Sequence, residues 1–371
     1  MNLKIETAAC ALHTRHVNRV PILFLEKVFL KPHAGLVRGV EVFNLNLLRD
    51  LARRGFPVTV PVDPSWQSAI GARTGDAAAP PDVLPCRLGR GSLVQGIEAA
   101  GRLRGRHFRA ALLGNVANGL IPALHLLRRG ATVGTWILLA HREPSPRFVR
   151  ACRAAGMTVV AVNRKIAAHF DGGAFPRVDV WYGVSDADAY HPPAGPRTGD
   201  GTVRFCVLGQ LDNAWKGADT AVAAYRRLPP PVRERAELHL AAFQRVPEYP
   251  EPGIRPYPWM PVEQVPDFLR SMDVLLVPSR DEGVMRETFS QAIVQGMLTG
   301  LPVCAADLPV LTEKLDAGGG LVFRTADELA AHMAMLAADP GKRRALGRRG
   351  RDTALRRYVW NTDTFVQRYL L

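Results

Sequence analysis

Two short stretches carry side chains suited to gripping an anionic ligand. In the first, the apolar run 203–208 leads through Gly209 to Gln210, Lys216, Gly217 and Asp219, and a helix-forming segment follows. A strand, a glycine turn, a lysine and a helix start offer a phosphate a point charge and free backbone N–H donors. Basic residues also occur in glycine turns that bind nothing, so alone this stretch leaves both readings open. The second is PSRDEGVMRETFSQAIVQGMLTGLPV, residues 278–303. Pro278, Ser279 and Gly283 turn the chain after the strand-like run 274–277. Phe289, Ala292, Ile293, Gly296 and Met297 recur at helical spacing and predict a helix with one side packed inward. Glu287, Thr288 and Ser290 gather at its start, where free N–H groups and the positive end of the dipole favour an anion. Glu287 there is able to accept from hydroxyl groups, and Gln295 lies about two turns further along nearly the same face. The plainer reading is a first-turn glutamate that suits the helix dipole, with a solvated glutamine.

The elements that would position these residues alternate between strand and helix. Residues 20–30 give a first strand, or a strand and an apolar loop, and 31–35 a turn. Arg38-Gly39-Val40-Glu41 then opens a helix in which Val42, Leu45, Leu48, Leu51 and Ala52 share a side. Gly55 stops that helix and 58–60 form the second strand, a unit of a parallel α/β domain. Gly39 either lets the backbone come close to a ligand or simply makes the turn. Residues 64–92, rich in Pro, Gly, Ala and polar types, are expected to loop over the surface. Further strands are expected at 110–113, 132–138 and 157–162, with a helix through Leu127. The strand 132–138 delivers His141 to its end, where open parallel sheets bind ligands. A lone histidine serves equally well as a structural hydrogen-bonder. The run 192–202 (PPAGPRTGDGT) reads as a linker. Beyond it come strands at 203–208, 238–243, 273–277 and 321–323, with helices at 264–272 and 327–338.

A chain of 371 residues, 47% hydrophobic and 22% charged, has material for two cores. No run of about 18 apolar residues predicts a membrane-spanning helix. The opening MNLKIETAAC lacks a secretory apolar stretch. The five cysteines are scattered, without a C-x-x-C pair or zinc-like histidine spacing, which suggests a reducing cytoplasm. A net charge of +14 favours anionic partners: a nucleotide-sugar, an anionic lipid surface or nucleic acid. Nucleic acid is disfavoured, because no basic strip is interleaved with aromatics.

The second stretch resembles the signature of retaining glycosyltransferases of the GT-B fold. These are the glycosyltransferase family 4, or "glycosyl transferases group 1", type that includes sucrose and glycogen synthases. Their pattern is a Glu, seven residues, a second Glu, then small residues and Gly-x-Pro-Val. Here it reads Glu287 to Gln295, then Gly300-Leu301-Pro302-Val303, with Gln in place of the second acid. The resemblance implies that Glu287 holds the donor sugar, with Thr288, Phe289 and Ser290 beside it, and that Gln295 accepts from the nucleotide ribose. Lys216, Gly217 and Asp219 match the family's diphosphate motif Gly-Arg-x(n)-Lys-Gly-x-Asp, but Gln210 stands where the Arg would. Either Arg38, Arg280 or Arg286 restores that charge, or the donor is held less tightly. Arg38-Gly39-Val40-Glu41 is similar to the family's Gly-Gly-x-Glu turn, with Arg38 able to reach the diphosphate. Trp259-Met260 falls where relatives hold the base, although Trp259 as core packing is an equal reading. Many relatives place a histidine like His141 near the transferred sugar. Residues 180–192 resemble the interdomain segment, and 356–360 the closing element that crosses back.

The fold so implied is α/β, with two Rossmann-like domains facing across a cleft and a C-terminal helix returning to the first. The domains are expected at 1–188 plus about 359–371, for the acceptor, and 189–358, for the donor. The function implied is metal-independent, retaining transfer of a sugar from a nucleotide-sugar to a hydroxyl acceptor, such as a glycan, a lipid-linked saccharide or a small natural product. No cofactor is expected, and no Asp-x-Asp triplet is placed to hold a metal at a nucleotide. The location implied is cytoplasmic, with peripheral contact at an anionic inner membrane face compatible with the charge. The alternative is a degenerate GT-B protein that binds an anionic ligand, membrane or nucleic acid without catalysis.

Overall fold

The computed structural model describes residues 20–32, 39–88, 91–181, 187–195, 201–281, 287 and 289–371. It divides the chain into two units, Met1–Trp181 with Asn361–Leu371, and Tyr182–Trp360. The first division therefore falls at 181/182 rather than the expected 188/189, directly after the last strand of the first sheet.

In the first unit, apolar runs become seven parallel strands: β1 (Ile22–Leu25), β2 (Val58–Val62), β3 (Asp82–Pro85), β4 (His107–Leu113), β5 (Thr132–Ala140), β6 (Thr158–Ala161) and β7 (Arg177–Val180). Their order is β3-β2-β1-β4-β5-β6-β7, with Ile22 opposite Val58 on one side and Ala110 on the other. β1 and β2 are buried along their whole length, as continuous apolar strands covered on both faces must be. The helix Gly39–Arg53 joins the first two, with Leu45, Leu48, Leu51 and Ala52 all buried.

Residues 64–92 are not the surface loop that their composition predicts. They contain the helical turn Pro64–Trp66, the helix Gln67–Thr74 and strand β3. The Asp63 carboxylate accepts from the Ser65 N–H at 3.0 Å and caps the turn. Trp66, only 1% exposed, lies edge-on to Phe29 and donates its indole N–H to the Lys31 carbonyl at 2.9 Å. One aromatic anchor and one cap outweigh the polar composition here.

Asn361–Leu371 belong to the first unit, so the chain does return to it. Thr362 donates to Asp50 at 3.0 Å, Arg54 pairs with Asp363 at 2.6 Å, and the Tyr369 hydroxyl donates to Asp179 at 2.7 Å. Phe365, fully buried, packs beside Trp181 and Tyr369.

The second unit repeats the scheme with six parallel strands: β8 (Val203–Gly209), β9 (Ala236–Ala242), β10 (Ile254–Tyr257), β11 (Val274–Val277), β12 (Val303–Ala306) and β13 (Gly320–Phe323). Their order is β10-β9-β8-β11-β12-β13. Phe205, Val207, Leu238, Leu240, Leu276 and Met333 centre its core. From β8 the chain builds outward through β9 and β10, then returns to β8's other edge with β11. The C-terminal ends of β8 and β11 thus flank a topological switch point, the place where open parallel sheets bind ligands. Among the described residues, no helix is long and apolar enough to cross a membrane.

Candidate active site

The loops leaving β8 and β11 are fastened to each other. The Arg280 N–H donates to the Trp215 carbonyl at 2.7 Å. Gly217, at φ +68°, packs so closely that a Cβ would sit 1.9 Å from the Pro278 carbonyl oxygen. Only glycine combines that backbone conformation with that approach. The Arg280 guanidinium pairs with Asp219 and donates to the Thr220 hydroxyl at 2.8 Å. So fixed, the β8 loop turns Lys216 back over Gly209, where an added Cβ would be 3.6 Å from the lysine Cε. The Lys216 ammonium lies 4.4 Å from the centre of the Trp215 ring and donates to Glu287 Oε2 at 2.6 Å.

Glu287 is the other half of this contact. Its Oε1 accepts from the Ser290 N–H at 3.1 Å, and the Ser279 hydroxyl approaches Oε2 at 3.5 Å. The paired side chains are 17% exposed for Lys216 and 9% for Glu287. Burial pushes the Glu287 carboxyl upward, but the charge and hydrogen bond of Lys216, the Ser290 N–H and the charge of Lys314 together hold it below the ordinary value. Glu287 is therefore an ionised, largely dry carboxylate with a cation in hand.

The helix that follows is shorter than its periodicity predicts. It spans Gln291–Leu298, with Ser290 before it in the left-handed region at φ 59°. Glu287 is thus not in the first turn, and the two-turn relation between Glu287 and Gln295 does not hold. The reason lies in the Glu287 carboxylate, which takes up the Ser290 N–H outside the helix, where Ser290's positive φ breaks the helical path. Ile293, Gly296 and Met297 are buried as expected, and Phe289 is buried without being helical. Gln295 donates its amide to the Tyr190 hydroxyl at 2.9 Å. Ser290 is 5% exposed, and among the described residues its hydroxyl meets no partner.

Gln210, partly buried at the end of β8, accepts from the Asn213 amide at 3.3 Å. Trp259 follows β10 at φ 60° and is 63% exposed, so it is not core packing. Its N–H donates to the Gln244 carbonyl at 3.2 Å. His141 and Gly39 belong to the first unit. His141 is 7% exposed and edge-on to Phe43, and burial lowers its pKa to about 3, so it is neutral. Among the described residues its Nε2 has no hydrogen-bond partner. Gly39 is the first residue of its helix. Arg38, Thr288 and Arg286 lie outside the described residues. Also among the described residues, no group of three or more His, Cys, Asp or Glu side chains is placed to hold a metal ion.

The sequence reading missed Ser279 as more than a turn residue, and missed Lys314 altogether. In the string TEKLD a lysine beside a glutamate looks like a solvated charge, yet Lys314 is fully buried with its ammonium 4.6 Å from the Phe289 ring centre. No local pattern announces it.

Residues 202–339 match the family described as Glycosyl transferases group 1. No curated protein matches the chain in sequence. Among solved structures, Anabaena Alr3699/HepE in complex with UDP and glucose superimposes with a TM-score of 0.65 at 17% identity, covering 94% of this chain and 98% of that one. Sucrose-phosphate synthase from Thermosynechococcus elongatus gives 0.70 at 16% identity, over 94% and 98%. A glycosyltransferase from Rickettsia africae gives 0.71 at 12%, over 94% and 97%. The second unit thus carries the match to Glycosyl transferases group 1, and the chain shares the α/β GT-B fold of these solved glycosyltransferase structures.

Proposed function

We propose that the chain is a retaining transferase that moves a sugar from a nucleotide-sugar to a hydroxyl acceptor without a metal. The observation that carries this reading is the 2.6 Å contact between Lys216 and Glu287 at the switch point of the second sheet. Each group there suits one end of a nucleotide-sugar, and here the two satisfy each other. On binding, Lys216 turns to the diphosphate and Glu287 accepts from the sugar hydroxyls. The Trp259 ring meets the base, and the Gln295 carbonyl oxygen accepts from the ribose while its amide stays on Tyr190. Phe289, Ser290 and Thr288 line the sugar, and Gln210 faces the diphosphate without adding charge. In the first unit, the proposal assigns Gly39, Arg38 and His141 to ligand contact.

As the glycosidic bond breaks, positive charge spreads over the anomeric carbon and ring oxygen, and negative charge grows on the diphosphate. Lys216 and the backbone N–H groups around Gly217 meet that negative charge in place before the reaction, the kind of preorganised electrostatics that lowers barriers most. The departing phosphate oxygen takes the acceptor's proton, and attack on the face it leaves retains the anomeric configuration. Lys216 supplies the charge that a metal ion would otherwise bring, so chelators are expected to leave the rate unchanged.

UDP is the first nucleotide to try, since the HepE relative was solved with UDP and glucose. UDP-, GDP-, ADP- and TDP-sugars are screened for a rise in melting temperature, because a ligand that binds the folded state stabilises it by mass action. Products with a stabilising donor are then assigned by NMR. No stabilisation by any of these donors would refute the donor reading, and an inverted anomeric carbon would refute retention. The neutral Gln210 and Gln295 favour a second reading, a binding module without catalysis, which donor binding without turnover or hydrolysis would support.

A further inference from the structure

The proposed reaction removes the counter-ion from a buried carboxylate. Glu287 is 9% exposed, and its paired cation, Lys216, is the group that must leave for the diphosphate. A carboxylate stranded at such a site takes up a proton, and a protonated Glu287 accepts poorly from sugar hydroxyls. A second cation stands behind it. Lys314 follows the short helix Pro309–Thr312 beyond β12 and is fully buried. It donates to the Val310 carbonyl at 2.7 Å and reaches Glu313 Oε1 at 3.5 Å. Its ammonium faces the Phe289 ring at 4.6 Å, two residues from Glu287.

We propose that Lys314 is a positioning residue, the standing counter-ion that keeps Glu287 ionised and Phe289 seated once Lys216 has moved to the donor. This rests on the function proposed above. Burial forbids Lys314 a ligand contact, so its charge acts through its neighbours. Among the described residues, the groups facing it are Glu313 from its own segment, the Phe289 ring from the β11 loop and the Val310 carbonyl, and the charge of Glu287 also acts on it. Among the described residues, those facing Glu287 are Lys216 from the β8 loop and Ser279 and Ser290 from its own, and the charge of Lys314 also acts on it. The charges of Lys314 and Glu287 act on each other, lowering the carboxyl and raising the ammonium. Burial still brings Lys314 down to about 8, which leaves it protonated at neutral pH. Arg280, one of the cations expected to compensate for Gln210, is engaged with Asp219 and Thr220.

The test imitates the departed lysine. Urea unfolding of Lys216→Met is followed from pH 5 to 7.5, against the same chain carrying Glu287→Gln as well. With Lys314 in place, the difference is expected to stay flat, because Glu287 remains ionised. In Lys216→Met/Lys314→Met, Glu287 has a folded pKa above its unfolded one, so stability is present at low pH and falls as pH rises, with a slope approaching about one proton. A falling profile in Lys216→Met alone, or a flat one in the double variant, overturns the proposal. Should these variants not fold, calorimetry of the unaltered chain with UDP-glucose, in buffers of differing ionisation enthalpy, decides. Uptake near zero supports the proposal, and about one proton per site overturns it. Failure to bind any donor speaks against the function alone, since the unfolding profiles need no ligand.

Discussion

Breaking the Lys216–Glu287 contact from each side yields a number that the geometry fixes in advance. At 2.6 Å and an effective dielectric of about 20, Coulomb's law gives about 6 kcal/mol of attraction. Drying two charges returns a good part of this, so a coupling of about 3 kcal/mol is expected. Lys216→Met and Glu287→Gln should each cost about 3–5 kcal/mol, with Lys216→Met at the low end because the charge of Lys314 still acts on the carboxylate. In a unit of this size, a loss of 3 kcal/mol lowers the melting temperature by about 6–12 °C. The double variant should cost about 3 kcal/mol less than the sum of the two. The assay is equilibrium urea unfolding of the four chains, read by tryptophan fluorescence, since Trp215 lies beneath the Lys216 ammonium. Turnover of each single variant should drop by about 10²–10³. Single effects that add to within about 0.5 kcal/mol would mean that the two groups do not act as a pair, and the site would have to be redrawn.

Four further outcomes follow from neighbouring residues. Gly217→Ala, facing both a left-handed backbone and the Pro278 carbonyl, should lose at least about 2 kcal/mol in urea unfolding, with donor affinity falling alongside by isothermal calorimetry. Trp259→Ala should leave the melting temperature within about 1–2 °C, because its ring is 63% exposed, while weakening nucleotide affinity several-fold. Gln210→Arg should tighten donor binding by restoring a cation at the diphosphate, read as a lower Kd that converges on the original at high salt. Lys314 has a folded pKa of about 8 against an ordinary 10.5, so the unfolded chain binds more protons between those values and stability rises with pH across that window. The gap corresponds to on the order of 3 kcal/mol, and Lys314→Met should abolish the rise and melt higher at pH 7.

What the amino-acid order reveals here follows from how far each signal reaches. The near-continuous apolar runs at 22–25, 58–62, 203–209 and 274–277 announce buried parallel strands, because a strand covered on both faces must be largely apolar. Lys216 and Glu287 were legible as candidates from their turns, but their 2.6 Å meeting depends on β8 and β11 being neighbours, which no local pattern specifies. The helix start was misread for a similar reason. Periodicity marks which side faces inward, whereas the break at Ser290 comes from a side-chain hydrogen bond to Glu287. Trp66 turned an apparent loop into helix by burying one ring, a tertiary effect that a polar composition conceals. Lys314 was hidden most completely, since its burial is decided by a strand and a loop distant in the chain.

The path of the backbone has a bearing on biosynthesis. Residues 361–371, which cover Trp181 with Phe365 and clasp Asp50, Arg54 and Asp179, leave the ribosome only after all of 182–360 has been made. The earlier-translated sheet must therefore wait, one edge of its packing unfilled, while its neighbour matures first. Pulse-labelled nascent chains should show the later segment resisting protease before the earlier one does.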